Sequence, residues 1–171
     1  MAVLYVVAGA APPVASLRHA VPALVDAGWD VCVTLTPTAA SWLADDPAAP
    51  AAVCGRPVRT RERRLGEGRP FPAADACLAA PLTFNTLNKW ASGISDNVAL
   101  GTLNEALGTG VPVVAAPCFN DALARHPQVA RSIRTLRGAG VRLVGDAGGA
   151  NAADGVAWWD VVLAAFDGRG S

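Results

Sequence analysis

Short apolar runs of β type alternate with helix-like segments along this chain, and that alternation narrows its fold more than any other feature. AVLYVVAG (Ala2 to Gly9), WDVCVTL (Trp29 to Leu35), ADACLAA (Ala74 to Ala80) and VPVVAAP (Val111 to Pro117) are predominantly apolar, with Asp30 and Asp75 near the starts of their runs. A strand with no polar face is buried on both sides, the habit of parallel sheets. Between these runs lie segments with helical spacing. In SLRHAVPALVDAG (Ser16 to Gly28), Leu17, Val21, Leu24 and Val25 share one face and Gly28 stops the helix, although Pro22 sits awkwardly inside it. TPTAASWL opens a short helix, and FNTLNKWASGISDNVALGTLNEAL is helical with a break near Gly93. HPQVARSIRTLRGAG starts on Pro and ends on Gly, as helix boundaries do, and DGVAWWDVVLAAF closes the chain. PVRT (Pro57 to Thr60) is a candidate extra strand and VRLVGD a short last one. The expected fold is α/β, a parallel sheet covered by helices on both faces. At 171 residues it forms one domain, 1–171.

Composition removes several function classes. Hydrophobic residues make up 52% and charged residues 16%, which belongs to a packed globule and not to a disordered chain. Fourteen basic residues balance fourteen acidic ones, so no basic excess marks a nucleic-acid or membrane-surface partner. All the basic residues but Lys89 are Arg, which reads as coding bias. So sparse a charge set points to surface covered by other subunits. Cys32, Cys54, Cys77 and Cys118 are widely separated with no CxxC pair, so neither a disulfide framework nor a metal site is expected. MAVLYVVAGAAPP lacks a charged n-region and reads as a first strand, and no apolar run approaches the ~20 residues of a membrane span. A cytoplasmic location is the expectation.

Candidate chemistry lies in loops that follow strands, because ligands of open α/β sheets sit at the carboxyl ends of strands. AGAAPPVAS follows the first strand with small residues at Gly9, Ala10 and Ala11. It lacks a phosphate-binding glycine motif, and Pro12 and Pro13 carry no N–H. TPTAASW offers the hydroxyls of Thr36 and Thr38 for capping a helix or binding a phosphate oxygen. PLTFNTLNKW and APCFNDALARHP place two amides, Asn85 and Asn120, after consecutive buried strands. Capping is the ordinary use of either Asn alone. The two together point to a ligand with a ring edge or a carboxylate, since an amide both donates and accepts.

PLTFNT resembles the PASANT motif of the homo-oligomeric flavin-containing cysteine decarboxylases, the family of phosphopantothenoylcysteine decarboxylase and the lantibiotic peptidyl-cysteine decarboxylases. LNKWASGISDN is similar to the family's following helix, PCFN (Pro117 to Asn120) to the start of its substrate clasp, and VTLTPTAASWL to its second strand and loop. HPQVARSIRTLRGAGV is similar to the helix and turn after the clasp. The resemblance implies a three-layer flavodoxin-like (Rossmann-like) fold, FMN bound between subunits, and a homotrimer or a dodecamer built from trimers. By position it implies that Thr36 and Thr38 hold the phosphate and ribityl chain. It sets Trp42 against the flavin, with a core role as the plain alternative. Thr83, Phe84, Asn85 and Thr86 would line the ring with Cys118 near it, and Asn120 would take the substrate carboxylate.

Departures from the family pattern bear on activity. Counting back from Asp75 to the position of the family's active-site His gives Glu67, and the two histidines of the chain, His19 and His126, lie elsewhere. Val144 stands where the pantothenate-pathway enzymes carry a proton-donating Cys, so reduction of an enethiol is not expected. Phe119 replaces the clasp Met, and Leu123 and Ala124 replace its Met-Trp pair. Ala10 and Ala11 stand where the family usually has Gly-Ser. Arg59, Arg61, Arg63, Arg64 and Arg69 form either a solvated loop or a guanidinium cluster reaching an anionic substrate. Two functions result: an FMN-binding flavoprotein that oxidises or oxidatively decarboxylates a cysteine-like thiol, small or peptidyl, or a non-catalytic scaffold or partner subunit in a mixed oligomer with a homologous chain.

Overall fold

The computed structural model describes residues 1–44, 54–145 and 155–166. β1 (Ala2–Ala8) leads through a 3-10 segment (Pro12–Ser16) into α1 (Leu17–Asp26), and β2 (Trp29–Leu35) into α2 (Pro37–Trp42). β3 (Ala76–Leu82) is followed by α3 (Phe84–Ala91) and α4 (Val98–Thr109), and β4 (Val113–Pro117) by α5 (Asp121–Ala124) and α6 (Pro127–Gly138). β5 (Arg142–Leu143) and α7 (Gly155–Ala165) complete the described elements. The strands form one parallel sheet in the order β2-β1-β3-β4-β5. The winding reverses between β1 and β3, and the loops after these strands diverge there to open a crevice.

Two cores sandwich the sheet, as the doubly apolar strands require. Leu4, Val6 and Ala8 of β1 and Val114 and Ala116 of β4 face α1 and α7, meeting Leu17, Leu24 and the fully buried Trp159. Val7, Cys77, Ala79 and Ala115 face the other way, against Leu87 and Trp90 of α3, Leu100 and Leu103 of α4 and Leu136 of α6. Pro22 lies inside α1 and is partly exposed.

β3 does not end at Ala80, as the sequence led us to expect, but continues through Pro81 to Leu82. The register with β4 shifts between Ala79 and Leu82. Leu82 consequently joins Cys77 and Ala79 on one face, where strict alternation would put it with Ala76, Leu78 and Ala80. A proline is tolerated at such an irregularity because one ladder position is already broken. Its carbonyl is used, accepting the Gly9 N–H at 2.9 Å.

PVRT is not a strand. Arg59 makes an isolated parallel bridge with Thr34 at the β2 edge, its N–H donating to Val33 and its carbonyl accepting from Leu35, both at 2.9 Å. Pro57 has no N–H with which to extend the pairing.

Candidate functional site

At the carboxyl edge of the sheet β2, β3 and β4 each hand over to a helix through a side chain that caps it. Thr36 after β2 accepts the Ala39 N–H on Oγ1 at 3.3 Å. Thr83 after β3 accepts the Thr86 N–H at 3.3 Å and donates to Thr86 Oγ1 at 3.1 Å. Asn120, beyond β4, accepts the Leu123 N–H on Oδ1 at 2.9 Å. Asn97 caps α4 through Leu100 N–H at 3.1 Å. Short polar side chains are selected here because they satisfy orphan N–H groups at helix starts.

Asn85 differs from all of these. It lies one residue inside α3, is exposed, and its amide makes no hydrogen bond among the described residues.

Two hollows meet at this edge and share Ala10, Thr83 and Asn85 as a common wall. The first, about 470 Å³, is polar: Thr36, Thr38, Thr86, Lys89, Asp96 and Asn97 complete its lining with Pro37. The Lys89 ammonium is paired with the Asp96 carboxylate. The second, about 450 Å³, is mostly apolar, with Ala11, Pro12, Phe84, Cys118, Phe119 and Leu123 beside Asn120. Phe84 stands edge-on to Phe119 at 6.0 Å and to His126 at 5.6 Å. Both volumes fall within the range of small-molecule sites, about 300–1,000 Å³.

Gly9 lies beneath the shared wall. A Cβ there would stand 2.8 Å from Thr83 Cγ2 and 3.1 Å from the Pro81 carbonyl oxygen, so only glycine lets the first loop press against the third. α7 supports that loop from behind, where Trp159 Nε1–H donates to the Pro13 carbonyl at 2.8 Å. Cys118 is buried, and burial pushes its thiol up to about 11, so it stays protonated and non-nucleophilic at neutral pH.

The structure thus brings together Ala10, Ala11, Thr36, Thr38, Thr83, Phe84, Asn85, Thr86, Cys118 and Asn120 around the hollows, with Gly9 beneath them. Trp42 is not among them; it ends α2 with 56% of its surface exposed and lines neither hollow. The arginine segment stays outside as well. Residues 60–70 are exposed, and Glu67 is occupied by Arg61 at 3.0 Å and by the Arg64 N–H at 2.9 Å. That guanidinium holds the Glu67 carboxyl below the usual carboxylate range. His19 pairs with Asp160 at 2.8 Å, and His126 accepts the Gln128 N–H on Nδ1 as the cap of α6, so neither ring lines a hollow.

Sequence reasoning missed Lys89, Asp96 and Asn97 as lining residues. The available signal was a lone Lys seven residues before an Asp, with Gly93 (φ 72°) turning the chain between them.

Small residues, a row of hydroxyls and amides and an adjoining aromatic slot suit a ligand with a polar tail and a flat ring. The Flavoprotein family model matches residues 2–166. The chain belongs to the Flavoprotein family. This flavoprotein is 30% identical over 135 residues to the coenzyme A biosynthesis bifunctional protein CoaBC of Vibrio vulnificus (strain YJ016), covering 75% of this chain and 32% of that one. It is 40% identical over 67 residues to phosphopantothenoylcysteine decarboxylase of Mus musculus, covering 39% of this chain and 32% of that one. The matches thus span about a third of the length of these curated relatives.

Among solved structures, the FMN-dependent cysteine decarboxylase TvaF from thioviridamide biosynthesis superposes with a TM-score of 0.74 at 25% identity, over 98% of both chains. The FMN-dependent cysteine decarboxylase SpaF gives 0.67 at 27% identity, over 84% of this chain and 83% of its own. The flavodoxin-like α/β fold and the relation to cysteine decarboxylases are therefore established. No helix among the described residues is long and apolar enough to cross a membrane.

Proposed function

We propose that this flavoprotein binds FMN across the two hollows and oxidises, or oxidatively decarboxylates, a cysteine-like thiol, either a small molecule or the end of a peptide. The observation that carries the reading is the Asn85 amide, unpartnered on the wall the two hollows share. Thr36, Thr83, Asn97 and Asn120 at this edge each commit a side-chain oxygen to a helix cap, whereas the Asn85 amide keeps both donor and acceptor for a ring edge.

Bound FMN supplies a two-electron acceptor, and the protein supplies orientation and electrostatics. Thr36 and Thr38 offer hydroxyls to a phosphate and ribityl chain. Thr83, Phe84, Thr86 and Cys118 shape the ring seat, and Gly9 keeps its floor thin. Asn120 spends Oδ1 on its cap, which leaves Nδ2–H to donate to a substrate carboxylate. Oxidation removes a proton from the thiol and a hydride from the carbon bearing it, and decarboxylation then releases carbon dioxide. Val144, a hydrocarbon at the position discussed above, has no proton to return to an enethiol, so the reaction ends there.

One observation favours a second reading. No histidine lines either hollow and Glu67 is engaged by arginine, so the described residues present no obvious base for the thiol proton. A partner subunit that completes its site with a homologous chain, or a scaffold that keeps the fold without the reaction, accounts for that.

The test is the visible spectrum of the purified protein, with the released chromophore identified by mass, followed by anaerobic addition of cysteine and cysteine-ended peptides. A yellow protein that releases FMN and bleaches on thiol addition is the expected result. A yellow protein that never bleaches supports the second reading. A colourless protein that takes up no added FMN overturns the cofactor assignment.

A further inference from the structure

One charged group in the first hollow has no part in the roles assigned above. Lys89 is the lone lysine in a chain whose other basic residues are all arginine, and its ammonium lies where the polar hollow is lined by Thr36, Thr38 and Asn97. It is a placed group. Asp96 pairs with it from the turn beyond α3, Asn97 Nδ2–H donates to the other Asp96 oxygen at 3.2 Å, and Asn97 in turn caps α4. The ammonium is thereby tied through two side chains to the first turn of a twelve-residue helix, and its stem rises from α3. No other Lys or Arg lines this hollow among the described residues.

A partly buried ammonium in a hollow also lined by hydroxyls and a side-chain amide offers donors to an anion. Its pairing with Asp96 fixes its position but uses only part of its capacity, since an ammonium carries three donors. We propose that Lys89 is the residue that makes the first hollow select a phosphorylated ligand over its unphosphorylated counterpart, with Asp96 as its positioning partner. Hydroxyls such as those of Thr36 and Thr38 can donate to a phosphate oxygen or to a sugar alcohol, and they carry no charge to oppose that of a phosphate. A fixed positive charge discriminates, because a hydrogen bond to a charged group is worth more than a neutral one. The inference rests on the cofactor reading above and adds the group that reads its charge.

The experiment compares the full-length protein with Lys89→Met and Lys89→Arg, first by circular dichroism to show that each folds. Affinities for FMN and for riboflavin are then measured by flavin fluorescence quenching. Lys89→Met is expected to weaken FMN about tenfold and leave riboflavin unchanged. Lys89→Arg, which keeps the charge, is expected to retain the discrimination. Equal weakening of both flavins by Lys89→Met would make Lys89 a structural strut. That result, no change for either flavin, or loss of discrimination in Lys89→Arg would each overturn the proposal.

A second arm uses inorganic phosphate alone, read as a rise in melting temperature over chloride at equal ionic strength. The wild-type protein is expected to gain stability and Lys89→Met is not. If the wild-type protein binds neither flavin, the cofactor reading falls and this arm decides the Lys89 inference by itself. An equal rise in both proteins, or none in the wild type, overturns it.

Discussion

Gly9 is the residue on which the two halves of the site lean. Its missing side chain is what lets its N–H reach the Pro81 carbonyl at 2.9 Å while the Thr83 methyl packs over it. Gly9→Ala forces either Thr83 or the first loop to move. An overpacked contact of this kind is expected to cost about 1–3 kcal/mol, read by urea denaturation, with FMN affinity falling in the same variant. A normal melt with unchanged affinity would mean that the loop yields freely. The need for glycine was not readable from the sequence, because Gly9 and Thr83 are distant in the chain and meet only through the β1–β3 pairing. Lys89 and Asp96 escaped notice for a local reason. They fall on either side of the turn at Gly93, so helical spacing gives no rule for their approach.

Among the secondary elements, the helices were legible because their starts carry chemical marks. Thr36 before Pro37, Asn97 before Val98 and His126 before Pro127 are all caps, and the break near Gly93 separates α3 from α4 as the sequence suggested. The strand ends were less so. Pro81 reads as a stop, yet a register irregularity carries β3 past it, and PVRT reads as a strand although only Arg59 pairs. Caps also separate the two asparagines by experiment. Asn120→Ala removes the bond to Leu123 and is expected to destabilise by about 1 kcal/mol. Asn85→Ala breaks no bond and is expected to leave stability unchanged while lowering flavin affinity or turnover. Chemical denaturation beside flavin titration checks both. A stability loss in Asn85→Ala equal to that of Asn120→Ala would remove the distinction.

For the molecule as a whole, the exposed apolar side chains are informative. Trp42, Leu65 and Val161 are exposed by 56%, 106% and 64%, in a chain with only 16% charged residues. Trp42 is the clearest case, since it lies close to the carboxyl edge in sequence yet lines neither hollow of its own chain. We expect light scattering after size exclusion to give a mass of three protomers or a multiple of three. A monomer at micromolar concentration would count against an assembly in which Trp42 is covered. The coupling of caps to site walls has a further consequence for how relatives of this chain are to be read. Thr36, Thr83 and Asn120 hold helix ends whether or not anything is bound, so a descendant that abandoned its chemistry would still be penalised for losing them. Their persistence across a lineage would therefore testify only to folding. Asn85 has no such second employer, and its fate in drifting lineages is the marker of whether the site is still in use.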